Sequence, residues 1–196
     1  MTEIQAIGDW AGNAEMIADV ARLGFIRGRV LDLTYGEGTF WNRCHPADLT
    51  TNDLNPDKPA EFHQDLRATS WASRSFGTVV LDIPYKMNGT PALGPMDALY
   101  GVDEVATRSE RLCLLASGVA EGARLADDLL LVKVMDQVNG GKVRWMTDVA
   151  TDVARACELR KIDAFILSGG GRKQPNGTSQ QHARHEYSSL LVFGRK

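Results

Sequence analysis

The stretch LDIPY, residues 81–85, ends an apolar run and carries groups that could act on an amine. The exocyclic amine of adenine or cytosine is a poor nucleophile, because its lone pair is delocalised into the ring. Two acceptors aimed at its N–H groups would stabilise the positive charge that develops on the nitrogen. Asp82 and the carbonyl of Ile83, stiffened by Pro84, would be those acceptors, and Tyr85 could stack on an extruded base. The alternative interpretation is that Asp82 ends a strand, Pro84 breaks it and Tyr85 belongs to the core.

A second candidate site is the loop TYGEG, residues 34–38, which also follows a short apolar run. Gly36 and Gly38 permit positive φ and let a ligand approach the backbone closely. Asp53 comes 17 residues after Gly36, where a carboxylate can accept hydrogen bonds from both hydroxyls of a ribose. Trp41 stands where a dinucleotide fingerprint needs its third glycine, so another adenosine-containing cofactor is favoured over a nicotinamide. The alternative is a tight turn next to a surface acid.

These groups can act together if the ends of several strands meet at one edge of a sheet. Apolar strands alternate with amphipathic helices along the chain, which is typical of an α/β fold with a mostly parallel sheet. Ligands bind at the carboxyl ends of the strands in such sheets. The acids that fall at or near these ends are Asp32, Asp53, Asp65 and Asp82.

The predicted strands lie within residues 28–38, 47–59, 60–68, 76–84, 127–135, 162–169 and 187–195. A first predicted helix is capped by Asn13 and ended by Gly24. Two more helices are predicted over 103–125 and 146–157, from apolar residues at helical spacing. Since no linker or repeat divides the sequence, we expect residues 1–196 to form a single domain.

The motifs VLDLTYGEGT, TNDLN and LDIPY resemble those of class I S-adenosylmethionine-dependent methyltransferases, specifically the amino-methylating DNA enzymes. They look like the cofactor loop, the strand with the ribose acid and the catalytic D-P-P-Y motif of that family. The resemblance covers about residues 29–196, including the ending HEYSSLLVFGRK. It implies a Rossmann-like sheet of about seven strands, mostly parallel with an antiparallel last strand, and S-adenosyl-L-methionine as the cofactor. Ile83 departs from the family pattern, which has proline there, but its carbonyl stays available.

The resemblance also implies roles for single residues. The group that would face the methionine part of the cofactor is Asp32, Thr34, Tyr35, Gly36 and Gly38. Asp53 would hold the ribose, and Asp65 would approach the adenine amine. Asp82 and the carbonyl of Ile83, in the turn with Pro84, would hold the target amine while Tyr85 stacks on the base.

The separate target-recognition domain of that family has no counterpart here, so residues 1–196 would form a catalytic domain alone. Specificity must then come from loops or from a partner protein, or it must be loose. Residues 86–101 are a candidate lid next to the catalytic motif. Residues 169–186 are Gly-rich, and the side chains expected to contact nucleic acid are Arg172, Lys173, His182 and Arg184. The sequence from Glu158 onward has a charge balance of +4, against −7 in the rest. A solvated, flexible loop is the alternative for residues 169–186.

The expected function is therefore methylation of an exocyclic amine of a nucleobase, adenine N6 or cytosine N4, with DNA favoured over RNA. The alternatives are an RNA base N-methyltransferase and a catalytically silent methyltransferase-like subunit that binds nucleic acid.

The composition is that of a globular protein, with 43% hydrophobic and 24% charged residues. No apolar run approaches the roughly 20 residues of a membrane span, and the sequence MTEIQAIGDW at the N-terminus lacks the features of a secretory signal. We therefore expect a cytoplasmic protein with no membrane partner. The three cysteines, Cys44, Cys113 and Cys157, lack the spacing of a zinc site, so no metal is predicted.

Overall fold

In the part of the chain that the structure describes, six strands form the main sheet, in the order β2-β1-β3-β4-β8-β7. The structure, a computed structural model, describes residues 9–84, 107–139, 141–169, 182–183 and 185–195. The strands of this sheet are β1 Val30–Asp32, β2 Leu49–Thr51, β3 Phe76–Asp82, β4 Ala126–Val134, β7 Leu159–Ser168 and β8 Tyr187–Arg195. A separate hairpin consists of β5 Gln137–Asn139 and β6 Lys142–Arg144.

The pairing of the strands matches the predicted sheet. β1 pairs in parallel with β2 and β3, and β3 pairs in parallel with β4. The last strand, β8, is antiparallel to both β4 and β7. The carboxyl ends of β1, β2, β3 and β4 therefore lie at one edge of the sheet, together with the beginning of β8. This edge is called the substrate edge below.

Helices cover both faces of the sheet, and for this reason the central strands carry apolar runs such as residues 129–132 of β4. The described helices are α1 Asn13–Arg22, α2 Arg108–Leu125 and α3 Met146–Ala156, and a 3₁₀ turn spans Thr39–Trp41. In β3, Val79 and Leu81 pack in the cluster that holds α2 and α3, whereas Val80 packs with α1 and the 3₁₀ turn. Successive side chains thus point to opposite faces, as the pleat requires.

The ends of the helices agree with the sequence at most points. Gly24 has φ 83° and donates its N–H to the carbonyl of Ala21, which ends α1 as predicted. The predicted cap at Asn13 is wrong, because Asn13 is already the first helical residue and its side chain makes no capping hydrogen bond. Glu15 instead accepts a hydrogen bond from the N–H of Ala11. For the second predicted helix, residues 103–106 lie outside the described residues.

The strand predicted at residues 60–68 is wrong. Phe62 forms an isolated parallel bridge with Asn52, and no strand forms there in the described chain. The side chain of Asn52 takes up the hydrogen bonds that a neighbouring strand would make, since it accepts from the N–H of Gln64 and donates to the carbonyls of Leu33 and Gln64. The sheet therefore has six strands within the described residues, where about seven were expected.

Within the described residues, no helix is long and apolar enough to cross a membrane.

Candidate active site

Asp32, at the end of β1, is a buried residue that makes hydrogen bonds to the loop of residues 34–38, called the glycine loop below, and to Trp41. Asp32 is 3% exposed. One carboxylate oxygen accepts a hydrogen bond from the N–H of Thr34 at 2.9 Å, and the other accepts from Nε1 of Trp41 at 2.8 Å. Burial raises the pKa of Asp32 to about 7; these hydrogen bonds oppose the rise, and the charges of Asp82 and Asp53 add to it. Asp32 therefore fixes the shape of the loop through its backbone and through Trp41.

The glycine loop itself needs a backbone that other residues adopt poorly. Gly36 and Gly38 have φ values of 56° and 68°. A Cβ atom at Gly38 would lie 2.5 Å from the hydroxyl of Tyr35, whereas a Cβ at Gly36 would meet no atom within 4 Å. The open space over Gly36 is room that a ligand could occupy against the backbone.

Asp53 joins the end of β2 to this loop. Its carboxylate accepts a hydrogen bond from the N–H of Gly36 at 2.8 Å and another from the N–H of Asn55 at 2.9 Å. The residue is 6% exposed. Each carboxylate oxygen has a second lone pair, so Asp53 can still accept hydrogen bonds from a pair of hydroxyl groups.

Asp82 ends β3 beside the same loop. Its N–H donates to Oγ1 of Thr34 at 2.8 Å, which ties the two motifs together. The Asp82 side chain is 25% exposed, and one carboxylate oxygen lies 3.5 Å from Nζ of Lys133. Of the motif's other residues, Ile83 is buried and Pro84 is half-buried, while Tyr85 lies outside the described residues.

Lys133 is a site residue that the sequence analysis missed. It sits on β4 in register with Asp82, is 4% exposed, and holds its ammonium group 5.7 Å from the ring centroid of Phe40. A lysine inside the apolar strand LLLVKV is the signal that could have identified it, because a buried ammonium needs a partner. Trp41 was also missed as the donor to Asp32, and its position in the sequence gives no comparable signal.

Asp65 has a different environment from the other three acids. Both of its carboxylate oxygens accept hydrogen bonds from Arg67, and this side-chain bonding lowers the pKa of Asp65. The contact with an adenine amine that was predicted for it stays a prediction.

The predicted nucleic-acid contacts lie largely outside the described residues. These are Arg172, Lys173 and Arg184, together with most of residues 86–101 and 169–186. His182 is described and is exposed.

The arrangement can do two things chemically. The loop and Asp53 offer open space beside Gly36 and a carboxylate to a ligand with hydroxyl groups. Asp82, a partly exposed acceptor, lies next to that ligand position. Asp32, Thr34, Gly36, Asp53 and Asp82 are thus brought together by hydrogen bonds at the substrate edge.

No family model matches the chain, and no curated protein matches it. Solved structures do match. The magnesium protoporphyrin IX methyltransferase of Synechocystis PCC 6803 with bound SAH aligns with 94% of this chain and 81% of its own, at 14% identity and a TM-score of 0.58. The 1,6-didemethyltoxoflavin-N1-methyltransferase of Burkholderia thailandensis, with S-adenosylhomocysteine, aligns with 96% of this chain and 80% of its own, at 14% identity and a TM-score of 0.52.

A SAM-dependent methyltransferase of Archaeoglobus fulgidus aligns with 94% of this chain and 95% of its own, at 11% identity and a TM-score of 0.53. At these identities the likeness shows the fold alone. The predicted Rossmann-like methyltransferase fold is confirmed.

Proposed function

We propose that this chain is an S-adenosylmethionine-dependent methyltransferase that acts on an exocyclic amine of a nucleobase, adenine N6 or cytosine N4, in DNA. The observation that carries the proposal is the hydrogen bond between the N–H of Asp82 and Oγ1 of Thr34. It joins a candidate amine-binding carboxylate to a candidate cofactor loop, and a methyl transfer needs both at one place.

The residues of the loop suit the proposed cofactor. S-adenosylmethionine, when bound, supplies a methyl group whose bond to sulfur breaks as the bond to the substrate nitrogen forms. Asp53 would accept hydrogen bonds from the ribose hydroxyls, and the space over Gly36 would admit the cofactor beside the backbone. The Synechocystis and Burkholderia enzymes of the same fold were crystallised with S-adenosylhomocysteine, which supports this choice.

Asp82 and Ile83 would act on the amine. The Asp82 carboxylate accepts a hydrogen bond from one N–H of the amine, and the Ile83 carbonyl accepts a hydrogen bond from the other N–H. As positive charge develops on the nitrogen, the interaction with Asp82 strengthens, so it lowers the barrier more than it tightens substrate binding. The methylated nitrogen then loses a proton to solvent. Lys133 helps to hold the Asp82 carboxylate in place, since its ammonium group lies 3.5 Å from one carboxylate oxygen.

A labelled-methyl transfer assay with DNA, RNA and protein acceptors in parallel tests the proposal, followed by mass spectrometry of the nucleosides. We expect label on N6-methyladenine or N4-methylcytosine from DNA. Asp82→Ala should lower kcat by roughly 10²–10³-fold, by analogy with the loss of one preorganised oxyanion-hole donor. Asp152→Ala, which removes a 72% exposed acid on α3, is the matched control and should keep full activity.

Other outcomes would redirect the assignment. Label on RNA alone would identify an RNA base N-methyltransferase. Nucleic-acid binding without transfer to any acceptor would identify a silent subunit that serves a partner protein. Normal turnover by Asp82→Ala would show that Asp82 is a strand terminus with no part in the reaction.

A further inference from the structure

An aromatic cluster lies next to the end of β4, outside the site described above. It consists of Trp145, His185 and Tyr187 and is called the aromatic platform below. Trp145 is 48% exposed, and its ring centroid is 5.1 Å from that of His185 in an edge-to-face arrangement. His185 stacks on Tyr187 with centroids 5.4 Å apart and an angle of 23° between the planes. Trp145 belongs to neither of the two hydrophobic clusters that form the core.

The platform is held in place by buried contacts. Asp136, two residues after β4, is 3% exposed. Its carboxylate accepts hydrogen bonds from the N–H of Thr147 at 2.9 Å and from the Thr147 hydroxyl at 3.0–3.1 Å. This bond fixes the first turn of α3, and Trp145 is the residue immediately before that helix. The exposed indole is therefore mounted on a backbone that is anchored to the sheet.

The platform lies at the substrate edge. Lys133 is in register with Asp82 on one side and with Leu190 of β8 on the other. Tyr187 comes three residues before Leu190, toward the substrate edge. With strands about 4.8 Å apart and a rise of about 3.4 Å per residue, the Cα atoms of Asp82 and Tyr187 are about 14 Å apart. That separation is on the scale of a few nucleotides of an extended single strand.

Positive charge flanks the platform. Trp145 directly follows β6, which contributes the exposed Lys142 and the half-buried Arg144. Nε of Arg144 is buried and makes no hydrogen bond within the described part of the chain. Aromatic faces beside basic side chains are the combination by which proteins bind single-stranded nucleic acid without reading its sequence.

We propose that the aromatic platform binds an unpaired nucleobase of the substrate strand, close to the base that is methylated, by stacking without sequence preference. Lys142 and Arg144 contact the adjoining phosphates. The proposal rests on the proposed function in one respect, namely that the substrate is a nucleic acid.

Fluorescence anisotropy with a labelled 12-nucleotide single-stranded DNA of mixed sequence tests the platform. Trp145→Ala should raise the Kd about 5- to 150-fold, the range expected for the loss of one stacked base, whereas Trp145→Phe should keep most of the affinity. Leu23→Ala is the matched control, since Leu23 is a 40% exposed apolar residue at the opposite edge of the sheet, and its Kd should equal that of the wild type. The same RNA sequence, run in parallel, distinguishes the two sources of an unpaired base.

An abasic scan gives a second, independent readout. Each thymine is removed in turn from a thymine oligonucleotide with a single adenine or cytosine, because that one target base fixes the register of binding. The scan should reveal one position at which wild-type binding weakens and Trp145→Ala binding does not weaken further. Equal affinities of Trp145→Ala and wild type, or no binding of either oligonucleotide by the wild type, would overturn the platform. If either result is obtained and the protein still transfers methyl groups to DNA, the platform is wrong and the proposed function is supported. Stacking through Trp145 without methyl transfer would support the platform and overturn the proposed function.

Discussion

Asp53 is expected to contact the cofactor and not the substrate, so its replacement tests cofactor binding separately from the rest of the site. We expect Asp53→Ala to weaken the binding of S-adenosylhomocysteine by about 1.5–3 kcal/mol, the value of hydrogen bonds to a charged group. Isothermal titration calorimetry measures this directly. Asp48→Ala removes an acid that is 65% exposed just before β2 and should bind as the wild type does. Tight binding of NAD with none of S-adenosylhomocysteine would overturn the assignment of the cofactor.

Lys133 brings a buried positive charge to a site with three carboxylates. Its ammonium group lies 3.5 Å from the Asp82 carboxylate. The negative charges of Asp82 and Asp53 both raise the pKa of Asp32. We expect Lys133→Met to lower kcat/KM, because the cation that holds the Asp82 carboxylate at the end of β3 is removed. Lys133→Arg, which keeps the charge, should retain more of the activity. Equal kcat/KM values for wild type and Lys133→Met, measured by the methyl transfer assay, would exclude this coupling.

Asp32 makes the stability of the fold depend on pH. Burial raises its pKa from 3.8 to about 7 in the folded protein, so the folded state binds this proton more tightly than the unfolded state does. The contribution of Asp32 to the free energy of unfolding therefore falls as the pH rises from about 4 to about 7.

Urea unfolding of the wild type and of Asp32→Asn at pH 4, 5.5 and 7.5 measures this contribution. The asparagine cannot ionise, and it cannot accept from both Thr34 and Trp41. The stability advantage of the wild type should be largest at pH 4 and should shrink by about 3–4 kcal/mol by pH 7.5. A difference that stays constant with pH would show that Asp32 ionises in the folded protein as easily as in the unfolded chain.

At the scale of elements, the pattern of apolar residues predicted the strands of the main sheet. Where a predicted strand does not form, a polar side chain makes the competing hydrogen bonds. β3, β4 and β8 contain the apolar runs 79–81, 129–132 and 190–193, as expected for strands that are buried on both faces. Residues 60–68 fail to form a strand because the Asn52 side chain makes hydrogen bonds there that no propensity records. The hairpin β5–β6 was not predicted, since three-residue strands such as Gln137–Asn139 carry too little pattern.

The residues of the candidate site could be predicted from the sequence, but the hydrogen bonds that join them could not. Its acids and glycines follow strand ends, so their types and spacing mark them in the sequence. The bonds from Trp41 to Asp32 and from Thr34 to Asp82 depend on how β1 and β3 lie side by side, and the sequence alone does not give that geometry.

The segment that follows Asp65 is attached to α2 by one ionic network. Glu121, 8% exposed, accepts hydrogen bonds from the N–H and hydroxyl of Thr69 and from the guanidinium of Arg124. Arg124 also donates to the carbonyl of Trp71 at 2.8 Å. Removing the Glu121 carboxylate leaves the N–H and hydroxyl of Thr69 and the guanidinium of Arg124 without this acceptor in a partly buried environment.

Glu121→Ala should lower the free energy of unfolding by about 2–3 kcal/mol, as expected for buried groups that lose their hydrogen bonds. Asp152→Ala is the matched control, because Asp152 and Arg155 have the same i,i+3 spacing but are 72% and 74% exposed. That exposed pair should contribute less than about 1 kcal/mol. Urea unfolding of both variants measures the contrast, and equal losses would mean that the network adds nothing beyond a surface ion pair.

At the scale of the whole molecule, charge is divided unevenly along the chain. The sequence from Glu158 to the end has a balance of +4, and the remainder has −7. A polyanion is repelled by the acidic part, so docking depends on a local basic region. Arg172, Lys173 and Arg184 belong to that region, and their positions lie outside the described residues.

We expect these three basic residues to contact the phosphate backbone without reading sequence. Each such contact releases counterions and contributes about 0.9 to the slope of log K against log salt on a duplex, or about 0.7 on a single strand. Replacing Arg172, Lys173 and Arg184 together by alanine should lower the slope by roughly 2–3 units and raise KM for the nucleic-acid substrate, with cofactor affinity unchanged. The loss should be similar for different substrate sequences.

The matched control removes the same charge from the other edge of the sheet. Arg155 near the end of α3, and Arg160 and Lys161 near the start of β7, are exposed and far from the substrate edge. Their triple alanine variant changes the net charge by the same amount, so an effect of overall charge would lower both slopes equally. A contact with phosphate lowers the slope of the first variant far more. If neither slope changes, residues 169–186 do not hold the nucleic acid, and docking falls to residues 86–101, to the aromatic platform or to a partner protein.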